Sequence, residues 1–184
     1  MQRNEYENKY LAEGLEQIKP YLLSGELFWN LNLASPRYMA PYPQMTLGNL
    51  LISAHILGCV GSGAARELLD EFWATKQEWS IAWESKAGTE YSYRLKHWGR
   101  AIEDFRSRRN PGVGAWANEL RGRTALVLLE REVAGEDLKR LGSVQTLDNV
   151  FLSLSKEGDF VWDEELRECF EIEPFWFLYR RPSS

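Results

Sequence analysis

Ala87–Phe105 reads AGTEYSYRLKHWGRAIEDF, and its apolar positions decide the fold class. Ala87, Tyr91, Leu95, Trp98, Ile102 and Phe105 follow one another at intervals of 4, 4, 3, 4 and 3 residues. An α-helix turns every ~3.6 residues, so all six fall on one face for about five turns. A strand alternates with period two and would scatter them over both faces. Ser80 is placed to cap this helix, and Asn110-Pro111-Gly112 to end it.

Working towards the N-terminus, Ala65, Leu68, Leu69, Phe72, Trp73 and Trp79 predict a helix capped by Ser62. Thr46 is the expected cap of the helix before it, running through Leu57. Between them Gly58–Gly63 reads as a tight turn, so the two helices form an antiparallel hairpin. The apolar stretch Leu47–Val60 is interrupted by Gly48, Asn49, Ser53, His55 and Gly58. A bilayer span needs about 20 apolar residues, so this is a buried helix and no membrane contact is expected. Asn4 begins a first helix through Tyr10, Leu11, Leu15 and Ile18, disturbed at Pro20 and finished near Leu23. The segment Gly25–Gln44 contains Phe28-Trp29 and three prolines, and its aromatic content predicts a loop pinned onto the core.

Towards the C-terminus a helix is expected over Val113–Val133, through Trp116, Leu120, Thr124, Val127 and Leu128, with Gly135 as its stop. A weaker helical pattern runs from Glu136 to Leu152. Asp163 is placed to cap a short helix to Phe170. Phe175–Tyr179 is an apolar run readable as a strand or a last helical turn; its length favours a strand, paired with Leu27–Leu33. The prediction is a mainly α, single-domain bundle of five or six helices over residues 1–184, with room for two short β-strands. Residues 1–24 form its first helix, 25–45 an irregular aromatic loop, 46–152 the helical core and 153–184 an acidic, aromatic extension.

Size supports one real core. A chain of 184 residues and 21.4 kDa buries roughly 70% of its unfolded surface. Net charge is −5, which disfavours a generally basic nucleic-acid binder. Met1–Tyr10 carries Arg3, Glu5, Glu7 and Lys9 and no apolar core, so no signal peptide is expected. The expected location is therefore the cytoplasm, with Cys59 and Cys169 as free thiols.

Motifs of known chemistry are missing. Two histidines, His55 and His97, are too few for a three-histidine zinc site, and neither is preceded by Glu three positions earlier. Gly58-x-x-Gly61-x-Gly63 lacks both the preceding strand and the third glycine of a dinucleotide loop, since Arg66 stands there. Its residual use is an anion at the following helix N-terminus, helped by Arg66. There is no G-x-S-x-G, and the acidic pairs Glu103-Asp104 and Asp163-Glu164 suit solvated helix faces. No catalytic residue, metal or cofactor is assigned, and the sequence leans away from an enzyme.

Two features remain. Trp29 and Trp176 lie outside the strong helices, each beside a phenylalanine, so Phe28, Trp29, Phe175 and Trp176 are the candidate partner-binding residues. Charge is also unevenly placed: Arg94–Arg123 carries +5 and Glu157–Glu173 carries −7. Arg94, Arg100, Arg106, Arg108, Arg109, Arg121 and Arg123 are candidate contacts to an anion or nucleic acid, unless the acidic tail covers them. The leading expectation is a non-enzymatic interaction module (an adaptor, regulator or inhibitor) that binds a protein partner or a second copy of itself. The alternatives are a small helical subunit contacting nucleic acid through residues 94–123, and an enzyme without a recognisable motif.

Overall fold

The computed structural model describes residues 2–34, 39–61, 63–107, 113–133 and 141–183. The protein is mainly helical, with one small antiparallel sheet near the C-terminus. The chain divides into two compact units, Met1–Glu90 and Tyr91–Ser184. Helix α4, Ser80–Ser107, supplies residues to each. The apolar stripe that predicted it is real: Ala87, Tyr91, Trp98, Ile102 and Phe105 are buried and Leu95 is half-buried.

In the first unit α1 spans Gln2–Leu23, α2 Leu47–Val60 and α3 Gly63–Glu78. Helix α1 starts two residues before the expected Asn4 cap and accommodates Pro20 in its last turn. It lies close to α2 because Gly14 faces Leu50. A Cβ on Gly14 would collide with the Leu50 side chain. Helix α2 is buried over most of its circumference, as its apolar composition required. It continues to Val60, so Gly58–Val60, read as turn, is helical; one interior glycine costs only about 1 kcal/mol. The expected Ser62 cap lies outside the described residues.

A helix whose first turn is buried must find partners for its free N–H groups. Three separate side chains supply them for α2. The Leu47 N–H donates to the Tyr21 hydroxyl at 3.2 Å, the Gly48 N–H to Glu90 Oε2 at 2.9 Å, and the Asn49 N–H to Thr46 Oγ1 at 3.1 Å. Thr46 is thus the N-cap that the sequence indicated. Replacing it with alanine is expected to destabilise the fold by about 1 kcal/mol, read as a lower urea midpoint at unchanged slope.

The aromatic loop is pinned where it is described. Trp29 and Met45 exchange backbone hydrogen bonds of 2.9 and 2.8 Å. The Tyr42 ring stacks on Tyr6 and Tyr10 at 4.2 and 5.7 Å.

In the second unit α5 spans Val113–Glu130 and α6 Leu141–Leu154. The expected stops at Asn110-Pro111-Gly112 and Gly135 fall outside the described residues, as does the start of the pattern at Glu136. Trp116 centres the core, with ring centroids 4.6 Å from Phe105 and 4.8 Å from Phe151. Its indole N–H donates to the Arg180 carbonyl at 3.1 Å. Strands β1, Ser155–Glu157, and β2, Arg180–Pro182, pair antiparallel with Ser155 opposite Pro182.

Two strands were anticipated, but elsewhere. Phe175–Tyr179 is not a strand: it follows a short helix, Ile172–Phe175, with a 3₁₀ turn, Trp176–Tyr179. Phe175, Phe177 and Leu178 are buried, and a helical turn lets this run of bulky side chains bury without a pairing partner. Trp29 bridges Met45 instead. Asp163 does precede a short helix, the 3₁₀ segment Glu164–Cys169. The free-thiol expectation is corrected, because Cys59 and Cys169 are both disulfide-bonded. Spacing along the chain carries no information on where a thiol finds its partner.

Candidate functional site

One concavity of the first unit lies where the end of α1, the Ser24–Leu27 loop and the α3–α4 junction meet. Its volume is about 740 Å³. Leu22, Leu27 and Ala82 are among its apolar walls, and Trp79 is the single residue between α3 and α4. Leu23 at 66% exposure and Ile81 at 85% stand at its rim. Phe28, one residue beyond the cavity wall, is 38% exposed.

Lys86 organises this site. Its ammonium is buried and donates to the carbonyls of Ser24 at 2.8 Å and Glu26 at 2.9 Å. It also sits 4.5 Å over the Tyr21 ring. Burial pushes its pKa below the ordinary lysine value, and the Glu26 and Glu90 carboxylates pull the other way. The Tyr21 hydroxyl donates to the Leu27 carbonyl at 3.2 Å, and Ser24 Oγ accepts from the Glu26 N–H at 3.2 Å. The loop is therefore held in place by side chains, and a partner would not have to order it. Trp79 Nε1 is buried without a hydrogen-bond partner. A buried N–H left unmade costs about 1–3 kcal/mol, so it is a donor in need of an acceptor.

The aromatic candidates divide between the units. Phe28 is exposed, while Trp29 is half-buried with its ring 6.2 Å from Tyr21. Phe175 is buried, and Trp176 is half-buried against Phe151 and Phe177.

The basic candidates are not equivalent. Arg100 and Arg106 are exposed, and Arg106 lies 3.7 Å from Glu103. Arg94 and Arg121 are half-buried. Arg108 and Arg109 lie outside the described residues. Arg123 is buried and gives both Nε and Nη2 to Asp148, at 3.0 and 2.6 Å. That guanidinium is committed inside the unit, which removes it from any exposed anion-binding set. The acidic tail meets part of its own charge, since Glu164 pairs with Arg167 at 2.7 Å.

Two further clusters are closed. Glu7 is buried between Arg3 at 3.1 Å and the Ser53 hydroxyl, which donates to it at 2.5 Å. Burial, then the Glu7 and Glu5 carboxylates, push the neighbouring Tyr42 phenol above its ordinary pKa. His97 lies 3.1 Å from Glu119 at the surface, and His55 is half-buried. Among the described residues no group of three or more His, Cys, Asp or Glu is placed to hold a metal ion. Beside the glycine turn a cavity of about 260 Å³ is lined by Leu57, Gly58, Gly61, Gly63, Arg66 and Leu69.

None of Leu23, Trp79, Ile81 and Lys86 was a candidate site residue in sequence; Leu23 and Trp79 counted there only as helix positions. One signal was present: Ile81 lies about 90° around the helix from the centre of the Ala87–Phe105 stripe, an apolar residue beyond its edge. No family model, curated protein or solved structure matches the chain. Among the described residues no helix is long and apolar enough to cross a membrane.

Proposed function

We propose that the chain is a non-enzymatic protein-interaction module whose docking face is the rim and cavity around Leu23, Phe28 and Ile81. One observation carries the reading: large apolar side chains stand exposed around a concave site whose loop is already held by Lys86. Exposed apolar residues grouped at a cavity mark interaction surfaces, whereas single ones do not. The nucleic-acid alternative has less support, because Arg123 is paired inside with Asp148. The disulfide-bonded cysteines favour an oxidising compartment over the cytoplasm expected from sequence.

The test is quantitative co-purification from native cells, followed by reconstitution of the two purified proteins. Leu23→Asp and Ile81→Asp are expected to weaken the reconstituted association about tenfold or more. Their stability should stay within about 0.5 kcal/mol of the parent, because both positions are exposed. A partner that binds both variants as tightly as the parent rejects this face. Tight, salt-sensitive binding to duplex nucleic acid that weakens in Arg100→Glu and Arg106→Glu would establish the alternative instead.

A further inference from the structure

The chemistry of the cavity narrows what it accepts. Its lining includes two acids, Glu26 and Glu78, and one cation, Lys86. The acids are exposed, with Glu78 at 59%. Lys86 is buried, and two carbonyl oxygens take up its ammonium. What the site shows an incoming molecule is therefore negative. Lys19 reaches Glu78 at only 3.6 Å with both side chains more than half exposed, a geometry that neutralises little. A carboxylate-headed ligand would meet these acids before it met Lys86. The walls and the exposed Leu23 and Ile81 require an apolar group.

We infer that this cavity takes a short peptide segment of a partner protein that inserts a leucine-like or aromatic side chain and places a lysine or arginine against Glu26 and Glu78. This rests on the reading of the face as the docking surface and adds the chemistry of what docks there. About 740 Å³ is ample for one large side chain with its flanking backbone. The preformed loop reduces the ordering cost that a weak peptide contact must overcome.

The experiment uses the full chain and three amidated peptides: alternating leucine and lysine, alternating leucine and glutamate, and alternating alanine and lysine. A dodecanoate titration provides a small-molecule arm. Fluorescence anisotropy should show the leucine–lysine peptide binding about tenfold more tightly than either other peptide. Glu26→Lys with Glu78→Lys should abolish the preference for lysine over glutamate. If the preference survives that double reversal, it reports only the overall charge of −5, and the inference is wrong. Equal binding of the lysine and glutamate peptides, or tighter binding of dodecanoate, also overturns it. The two proposals separate cleanly. Native association lost in Ile81→Asp but untouched by the double reversal sinks the peptide chemistry and leaves the docking face standing. Association untouched by either set sinks both.

Discussion

Asp148→Ala is expected to cost about 3–5 kcal/mol, the largest effect of any single substitution considered for this protein. Asp148 on α6 accepts from Arg123 Nε and Nη2 on α5 at 3.0 and 2.6 Å, and from Trp98 Nε1 on α4 at 3.2 Å. One carboxylate therefore ties three helices of the second unit. Removing it leaves the Arg123 guanidinium buried without its counter-charge, 4.8 Å over the Phe177 ring. It also leaves the Trp98 N–H without an acceptor. Solvent cannot repair either loss, because Arg123 is 6% exposed and Trp98 2%. Desolvation of the stranded cation, more than loss of attraction, sets the size of the effect. Replacing both partners, Arg123→Met with Asp148→Leu, is expected to recover much of the loss, since two apolar groups leave no buried charge. Urea unfolding of the two single variants and the double would give the cycle. A double variant as unstable as the sum of the singles would show that packing, and not the stranded charge, dominates.

The helical class was legible because it depends on one strong periodic signal. The stripe Ala87–Phe105 is buried as its spacing demanded, and Thr46 caps α2 as its residue type demanded. The tail was harder. A run such as Phe175–Tyr179 has no polar positions to reveal a period, so its apolar character fits a buried strand and a buried turn alike. The strands that do form, at Ser155–Glu157 and Arg180–Pro182, are polar and three residues long. Nothing local distinguishes such segments from loop; their pairing depends on which chain ends the core brings together.

The candidate site was legible only at its edge. Phe28 was reachable from composition, as an aromatic outside the helices. Lys86 was not, because a lysine in a helix ordinarily marks a solvated face. Here its burial follows from Tyr21 and from two loop carbonyls, none of which announces a cation partner in sequence. Arg123 erred the other way. It counted towards a basic stretch, yet it serves Asp148, 25 residues along the chain. Local charge sums mislead whenever one member is paired at long range.

Glu90→Ala is the second large prediction, at about 3 kcal/mol. Glu90 belongs to α4 and is fully buried, and its Oε2 accepts from the Gly48 N–H in the first turn of α2. Two effects combine. A hydrogen bond to a charged acceptor contributes about 1.5–3 kcal/mol, and its loss leaves a buried N–H unpaired. A carboxylate at a helix N-terminus also opposes the partial positive charge there, for up to about 2 kcal/mol when buried. Alanine loses both and leaves a cavity. Glutamine keeps an oxygen acceptor but no charge, so Glu90→Gln should cost about 1 kcal/mol. The gap between the two variants measures the hydrogen bond together with the cavity, and the Glu90→Gln value measures the charge. Because Leu47 and Asn49 keep their own acceptors, the loss should stay local to Gly48, seen as faster amide exchange there in both variants and most in alanine. Equal costs for alanine and glutamine would mean that the charge carries the contact. Exchange at Gly48 as slow in Glu90→Ala as in the parent would mean that Glu90 does not hold this turn.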